Sequence, residues 1–458
     1  MDDEPIRQRL KRFSPDRLAD ELVDLGRGDP AVRDRLDLLA VEHDALALGD
    51  ALKRRIAALG RAQNFISYGR SFSFARELQY VVTTIRERAL PCQPALAFEL
   101  ADAFLKTDAR VFERADDSSG SIGDVYRDAC RLWLEAASRC RDGRNWVGLL
   151  HDTVGKDDYG VRGDLLPNAA ILLSEEEIRR LVARYLGDAG PARPDDDELD
   201  WTSLSAASSV CQLAIALRDP RLYEEARSAR RGGLNDLQRI DVAQRYLEFG
   251  DPETALAKLS EMAEPKRLEC LDLFAECFGR LGRRDEQVAI LERLFQQTLS
   301  KKDYERLMEL RPEDQRQSTA QWARETALGH SDACMAATFL FQAGWPDDAE
   351  RLVLGRAGEL AGTPYPSLLD LAALAEAGGR STVEIVCYRH LIRDVLDDAR
   401  SRAYGHAVRY LGRLEELDRM IRECGSLGDH AGFVAELRKR HGRKSGFWGR
   451  VEGKQRSR

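Results

Sequence analysis

Three carboxylates, Asp116, Asp117 and Asp124, lie close together along the chain, with Ser118, Ser119 and Gly120 between them. A second acidic group, Asp157 and Asp158 next to Tyr159, follows further on. Oxygen donors of this kind bind hard divalent cations such as Mg²⁺. The same residue types also build Asx turns and helix N-caps. The sequence therefore has two readings here. One is a ligand or metal site in which both acidic groups meet in space. The other, which the composition favours, is a plain connection between helices. An EF-hand is excluded, because no D-x-D-x-D-G run with its following Glu occurs.

Other catalytic chemistry is sparse. The seven His never fall at H-x-x-x-H or H-E-x-x-H spacing, so a zinc hydrolase and a bound metal are not expected. His151 beside Asp152 has the makings of a general base with a carboxylate partner. A solvent-facing helix position is the simpler reading. The nine Cys are scattered without a C-x-C or C-x-x-C pair, which suits reduced, packed thiols. Cys270 and Cys277 share a helix face with Leu271 and Phe274 and read as core. No G-x-x-x-x-G-K-[ST], strand-borne G-x-G-x-x-G or G-x-S-x-G is present, so P-loop, Rossmann and α/β-hydrolase chemistry have no foothold and no cofactor is expected.

Two stretches mix aromatic and basic residues. In the first, Phe65, Tyr68, Arg70, Phe72 and Phe74 are expected to anchor a loop into the core, with stacking on bases or on a partner as the alternative. In the second, Lys439, Arg440, Arg443 and Lys444 precede Phe447 and Trp448 near the C-terminus. That tail suits a nucleic acid or an acidic protein surface. It also suits a frayed end or one folded back on the last helices. Overall, 70 Lys and Arg against 78 Asp and Glu leave a net charge of −8. A chain this acidic does not coat itself with polyanion, so nucleic-acid binding would have to be local to the tail.

The elements that position these residues are helices. Apolar residues recur at helical spacing, and alternating β-branched runs are nearly absent. Ser14-Pro15 and Asp29-Pro30 are helix starts, and a third helix spans about 45 to 60. A loop is expected over 61–73, then a helix over 74–89 that Pro91 and Pro94 end and restart. Ser121 is expected to cap the helix after the acidic turn, with Asp124 in its first turn, where the dipole favours a carboxylate. Ser174 with Glu177 spells a capping box.

Residues 188–200, rich in Gly, Pro and Asp, read as a linker between an N-terminal helical domain (1–187) and a second domain (201–440), with a basic aromatic tail over 441–458. The second domain repeats a helix–turn–helix grammar about turn glycines Gly250, Gly282, Gly344 and Gly378. A fifth turn, without glycine, is expected near Arg311-Pro312. Five residues past each glycine stand Ala255, Gln287, Ala349 and Val383. This is the pattern of a helical-hairpin α-solenoid, similar to degenerate tetratricopeptide repeats.

The segments ALAFELADAFL, VFERADDSSGSIGDVYRDA and DDYGVRGDLLPNAAILL, with the later HGRKSGFW, resemble the DUF6880 family of uncharacterised bacterial helical proteins. The resemblance implies an all-α fold and no assigned reaction. Some SWIM zinc-finger proteins carry a similar helical region, but the C-x-C and C-x-H of their zinc motif have no counterpart in this chain.

The fold expected is all-α, a helical domain followed by a helical-hairpin solenoid. The function expected is a non-catalytic cytoplasmic scaffold that binds a protein or peptide in a repeat groove. A nucleic-acid accessory role through the tail, and a ligand-binding or enzymatic site at the Asp116–Asp124 turn, are the alternatives. No eighteen-residue apolar window and no apolar h-region after MDDEPIRQRLKRF occur, so neither membrane spans nor secretion are expected.

Overall fold

Local signals start most of the helices. Ser14 accepts a hydrogen bond from the Arg17 N–H at the head of Pro15–Gly28. Asn145, Asn235, Ser300, Asp332 and Asp429 cap later helices in the same way. The computed structural model describes residues 4–456, apart from 42–43, 142, 189–200, 229–232 and 421–426. Among these residues the fold is all-α, with no strand. A single isolated parallel bridge joins Ile66 to Ala115. The chain packs as two units, Met1–Asp251 and Pro252–Arg458.

In the first unit the helix Ser121–Arg139 is central. It packs on Pro94–Leu105 and Tyr68–Thr84. Trp133 is fully buried and meets Phe98 and Trp146, and Tyr126 stacks on Phe104. The loop expected over 61–73 is shorter than that, because helix begins at Tyr68. Nor does Pro91 end the following helix. The chain stays helical to Cys92 through a π-turn over Ile85–Ala89. There Leu90 N–H bonds the Ile85 carbonyl, and this wider turn sits just ahead of the proline, whose ring would crowd a regular turn. Arg86, inside the π-turn, holds Asp128 through both carboxylate oxygens. Apart from Asp188, the expected linker at 188–200 lies outside the described residues. The helices on either side of it, Glu175–Asp188 and Trp201–Leu217, pack on each other within one unit.

The second unit is a stack of helical hairpins. Leu271–Arg280 pairs with Arg284–Thr298, Lys301–Leu310 with Glu313–Gly329, Ala333–Gln342 with Pro346–Gly355, and Tyr365–Ala377 with Ser381–Asp397. The glycine-free turn falls at Arg311-Pro312 as expected. In the last two hairpins first helix packs on first and second on second, which is solenoid-like stacking. One continuous apolar cluster, with Phe295, Phe339 and Leu371 at its heart, threads the hairpins.

The turns share one C-cap. The residue after each left-handed glycine bonds a carbonyl five residues back: Asp251 to Tyr246, Arg283 to Phe278, Trp345 to Leu340 and Arg380 to Ala375. This is the Schellman arrangement, and it needs a positive φ at the preceding residue. The glycines that supply it are Gly250, Gly282, Gly344 and Gly379. The expected turn glycine Gly378 is instead right-handed, at φ −84°. Ala255, Ala349 and Val383 are buried. Where the longer Gln287 replaces them, the first helix has Gly279, and a Cβ there would lie 2.5 Å from Gln287 Nε2.

Candidate functional site

The acidic turn is built from its own backbone outward. Gly120, at φ 73°, reverses the chain so that Asp117 reaches over the start of Ser121–Arg139. Its two carboxylate oxygens accept from Ile122 N–H and Gly123 N–H, each at 2.9 Å. The cap is therefore Asp117, not Ser121, whose hydroxyl meets only that of Ser119. Asp116 accepts from the N–H and hydroxyl of Ser118, and those bonds hold its carboxyl below the usual range. Asp124 pairs with Arg127 one turn on.

The second acidic group does the same kind of work. Asp157 accepts from Val161 N–H and Arg162 N–H at 3.0 and 2.8 Å. Asp158 is exposed. Tyr159 stacks on Phe112, which in turn meets Tyr126. An aromatic chain thus runs between the two acidic segments, while Asp117 and Asp157 spend their oxygens on backbone donors. Among the described residues, no group of three or more His, Cys, Asp or Glu side chains is placed to hold a metal ion.

His151 Nδ1 lies 3.5 Å from Asp152, the carboxylate beside it in sequence. Its Nε2 lies 2.9 Å from Asp188, and its ring rests on Tyr185. Cys130, Cys211, Cys277, Cys334 and Cys387 are buried, whereas Cys92 is exposed. Burial pushes Cys211, Cys277 and Cys334 up to about 11, and Cys130 and Cys387 higher still.

The two aromatic–basic stretches behave in opposite ways. Phe65, Tyr68 and Phe72, expected to anchor a loop, are 66%, 54% and 61% exposed. The anchor is Ile66 instead: its N–H bonds the Arg114 carbonyl, and its carbonyl accepts from Asp116 N–H. Only Phe74 is partly covered, by the Arg114 guanidinium at 5.2 Å. The bridge thereby sets the exposed aromatics beside the acidic turn, a neighbourhood that sequence distance conceals. In the C-terminal stretch, Phe447 and Trp448 are buried, within the helix Ser445–Arg456. Trp448 Nε1 donates to the His441 carbonyl, and Arg438 lies 4.4 Å over the indole. Lys439, Arg440 and Arg443 are exposed and Lys444 half-buried; Arg440 pairs with Asp397. The tail's aromatics thus belong to the core of the last helices, and its cations remain at the surface.

Beside them lies a cleft of about 630 Å³. Val408, Leu411, Val434 and Val451 line it with apolar surface, and Glu415, Arg419 and Arg438 bring charge. Sequence reasoning missed this cleft, because its walls come from three helices whose residues look like ordinary core positions.

Stacked hairpins with repeated Schellman turns define a helical-repeat protein. Within that class the chain belongs to the family of unknown function DUF6880, whose model matches residues 7–450. No curated protein matches it. One solved structure that does, a circular tandem repeat protein with novel repeat topology and enhanced subunit contact surfaces, is 15% identical. The match covers 96% of this chain and 99% of that one, at a TM-score of 0.15.

Proposed function

We propose that this protein is a non-catalytic scaffold that holds a protein or peptide on its helical-repeat half. The observation that carries this reading is the cleft among Tyr404–Met420, His430–His441 and Ser445–Arg456. An apolar floor bordered by charges of both signs suits an amphipathic peptide helix, which buries one face and pairs ions along its edges. The acidic turns support the same reading, since their carboxylates already serve backbone donors. The buried thiols fit a reducing compartment, and we assign the protein to the cytoplasm. No helix among the described residues is long and apolar enough to cross a membrane.

Ala431 and Ala435 line the cleft at exposed positions, so arginine there fills it without disturbing the core. A bound protein recovered after nuclease treatment, cross-linked to residues 408–451 and lost in Ala431→Arg/Ala435→Arg, is the expected result. Retention of that protein by the double variant, or its loss to nuclease alone, sinks the proposal.

A further inference from the structure

The first 28 residues carry the same apolar spacing twice. Ile6, Leu10 and Phe13 stand four and three residues apart, and so do Leu18, Leu22 and Leu25. The charges between them are opposite. The first set encloses Arg7, Arg9, Lys11 and Arg12; the second encloses Asp20, Glu21 and Asp24.

The structure leaves most of both seams without a cover: Leu18 is half-buried, and the Arg17 guanidinium lies 5.2 Å from the Phe13 ring. The helix Glu4–Leu10 buries none of its residues, and Pro15–Gly28 buries only Gly26. Gly26 is where Pro30–Ala40 approaches; a Cβ there would lie 2.9 Å from Leu36 Cδ1. That contact leaves Leu22, Val23 and Leu25 facing solvent, Leu25 at 61% exposure. Ile6, Leu10 and Phe13 are exposed as well. Leu39 and Leu46, on the next two helices, also face solvent. Arg9, Lys11, Arg12, Asp20 and Glu21 make no ion pair with any described residue.

We propose that this surface is a two-fold interface between two copies of this chain, in which the basic segment of each copy lies along the acidic segment of the other. An isologous pairing uses the same patch on both partners, so it requires a patch that is complementary to itself. Two apolar seams of equal spacing and opposite charge meet that requirement. Pairing basic with acidic segments covers both seams twice over and supplies Arg9, Lys11 and Arg12 with Asp20 and Glu21. A second basic or a second acidic amphipathic helix would satisfy only half of the patch. This inference stands apart from the cleft, which lies in the other unit.

The test is sedimentation equilibrium on the full chain. The expected wild-type result is a reversible dimer that loosens as salt is raised. Leu22→Asp/Leu25→Asp should give a monomer with an unchanged circular dichroism spectrum, because both side chains are exposed. Arg9→Glu/Arg12→Glu cancels the charge of the basic segment, and Asp20→Lys/Glu21→Lys turns the acidic segment basic. Each variant alone should dimerise about tenfold more weakly or worse, and an equimolar mixture of the two should recover the dimer. A wild type that stays monomeric overturns the proposal, whether another protein or a membrane surface then covers the patch. A dimer indifferent to Leu22→Asp/Leu25→Asp, or charge variants that fail to complement each other, overturns it equally.

Discussion

The guanidinium of Arg162 donates to both carboxylate oxygens of Asp108, at 2.7 and 2.9 Å, with the two side chains only 4% and 3% exposed. The remaining donors of Arg162 reach the carbonyls of Thr153 and Leu105, while its backbone N–H is held by Asp157. One arginine thus ties the segment after the second acidic group to the end of Pro94–Leu105 and to the short helix Asp108–Phe112.

Removing one partner leaves the other charged and dry. Asp108→Ala should therefore lower unfolding stability by about 3–5 kcal/mol. Replacing both, as Asp108→Leu with Arg162→Met, should recover most of that loss. Urea denaturation of the two variants checks it. Equal losses in both would show that the pair contributes more than relief of a stranded charge.

The Schellman turns allow a reciprocal test. Ala399 occupies the left-handed position at φ 52°, and Arg400 N–H bonds the Val395 carbonyl as at the glycine turns. Ala399→Gly should stabilise the protein by about 1 kcal/mol, and Gly344→Ala, at φ 85°, should destabilise it by a similar amount. Thermal melts should move in opposite directions.

Asp117 caps two backbone donors at once. Asp117→Ala should destabilise by about 1–2 kcal/mol, the usual range for a lost N-cap. Mg²⁺ or Ca²⁺ should leave the melting temperature of the wild type unchanged. A rise with Mg²⁺ that Asp117→Asn abolishes would show that the carboxylate is released to a cation.

Asp128 links stability to pH. Burial alone would raise its pKa, but hydrogen bonds from Arg86 and Gln79 outweigh that and hold the carboxyl below its ordinary value. The folded protein therefore binds this proton less tightly than the unfolded chain does. The contribution is complete above the ordinary aspartate value of about 3.9, and it is lost as pH falls through the folded value. The stability gap between wild type and Asp128→Asn should narrow as pH falls below about 4. A gap that stays constant in acid would mean that Asp128 acts through packing.

Helix starts were legible where the signal is local. Ser14-Pro15 and the Ser174–Glu177 box need only their own few residues. The Asp117 cap was not legible, because its carboxylate lies five and six residues ahead of the donors and reaches them only through the left-handed Gly120. Gly378 and Gly379 are chemically alike, and only the backbone angle decides which one turns the chain. Phe447 and Phe72 sit in similar basic, aromatic surroundings in sequence, yet one is buried and the other exposed. What separates them is Tyr404, distant in sequence, whose ring meets that of Phe447 edge-on and which no local pattern encodes.

The recurring turn also bears on how the second unit would carry load. Each Schellman turn is closed by bonds within its own few residues, while neighbouring hairpins are joined by side-chain packing and by side-chain bonds such as Arg284 to the Leu310 carbonyl and Arg380 to Asp347. Pulled from its ends, such a stack should yield in steps, one hairpin at a time, each releasing about 100 Å of chain for its thirty-odd residues. A partner held in the cleft of the three helices that follow the hairpins would be tethered by a spring that lengthens in increments before it lets go.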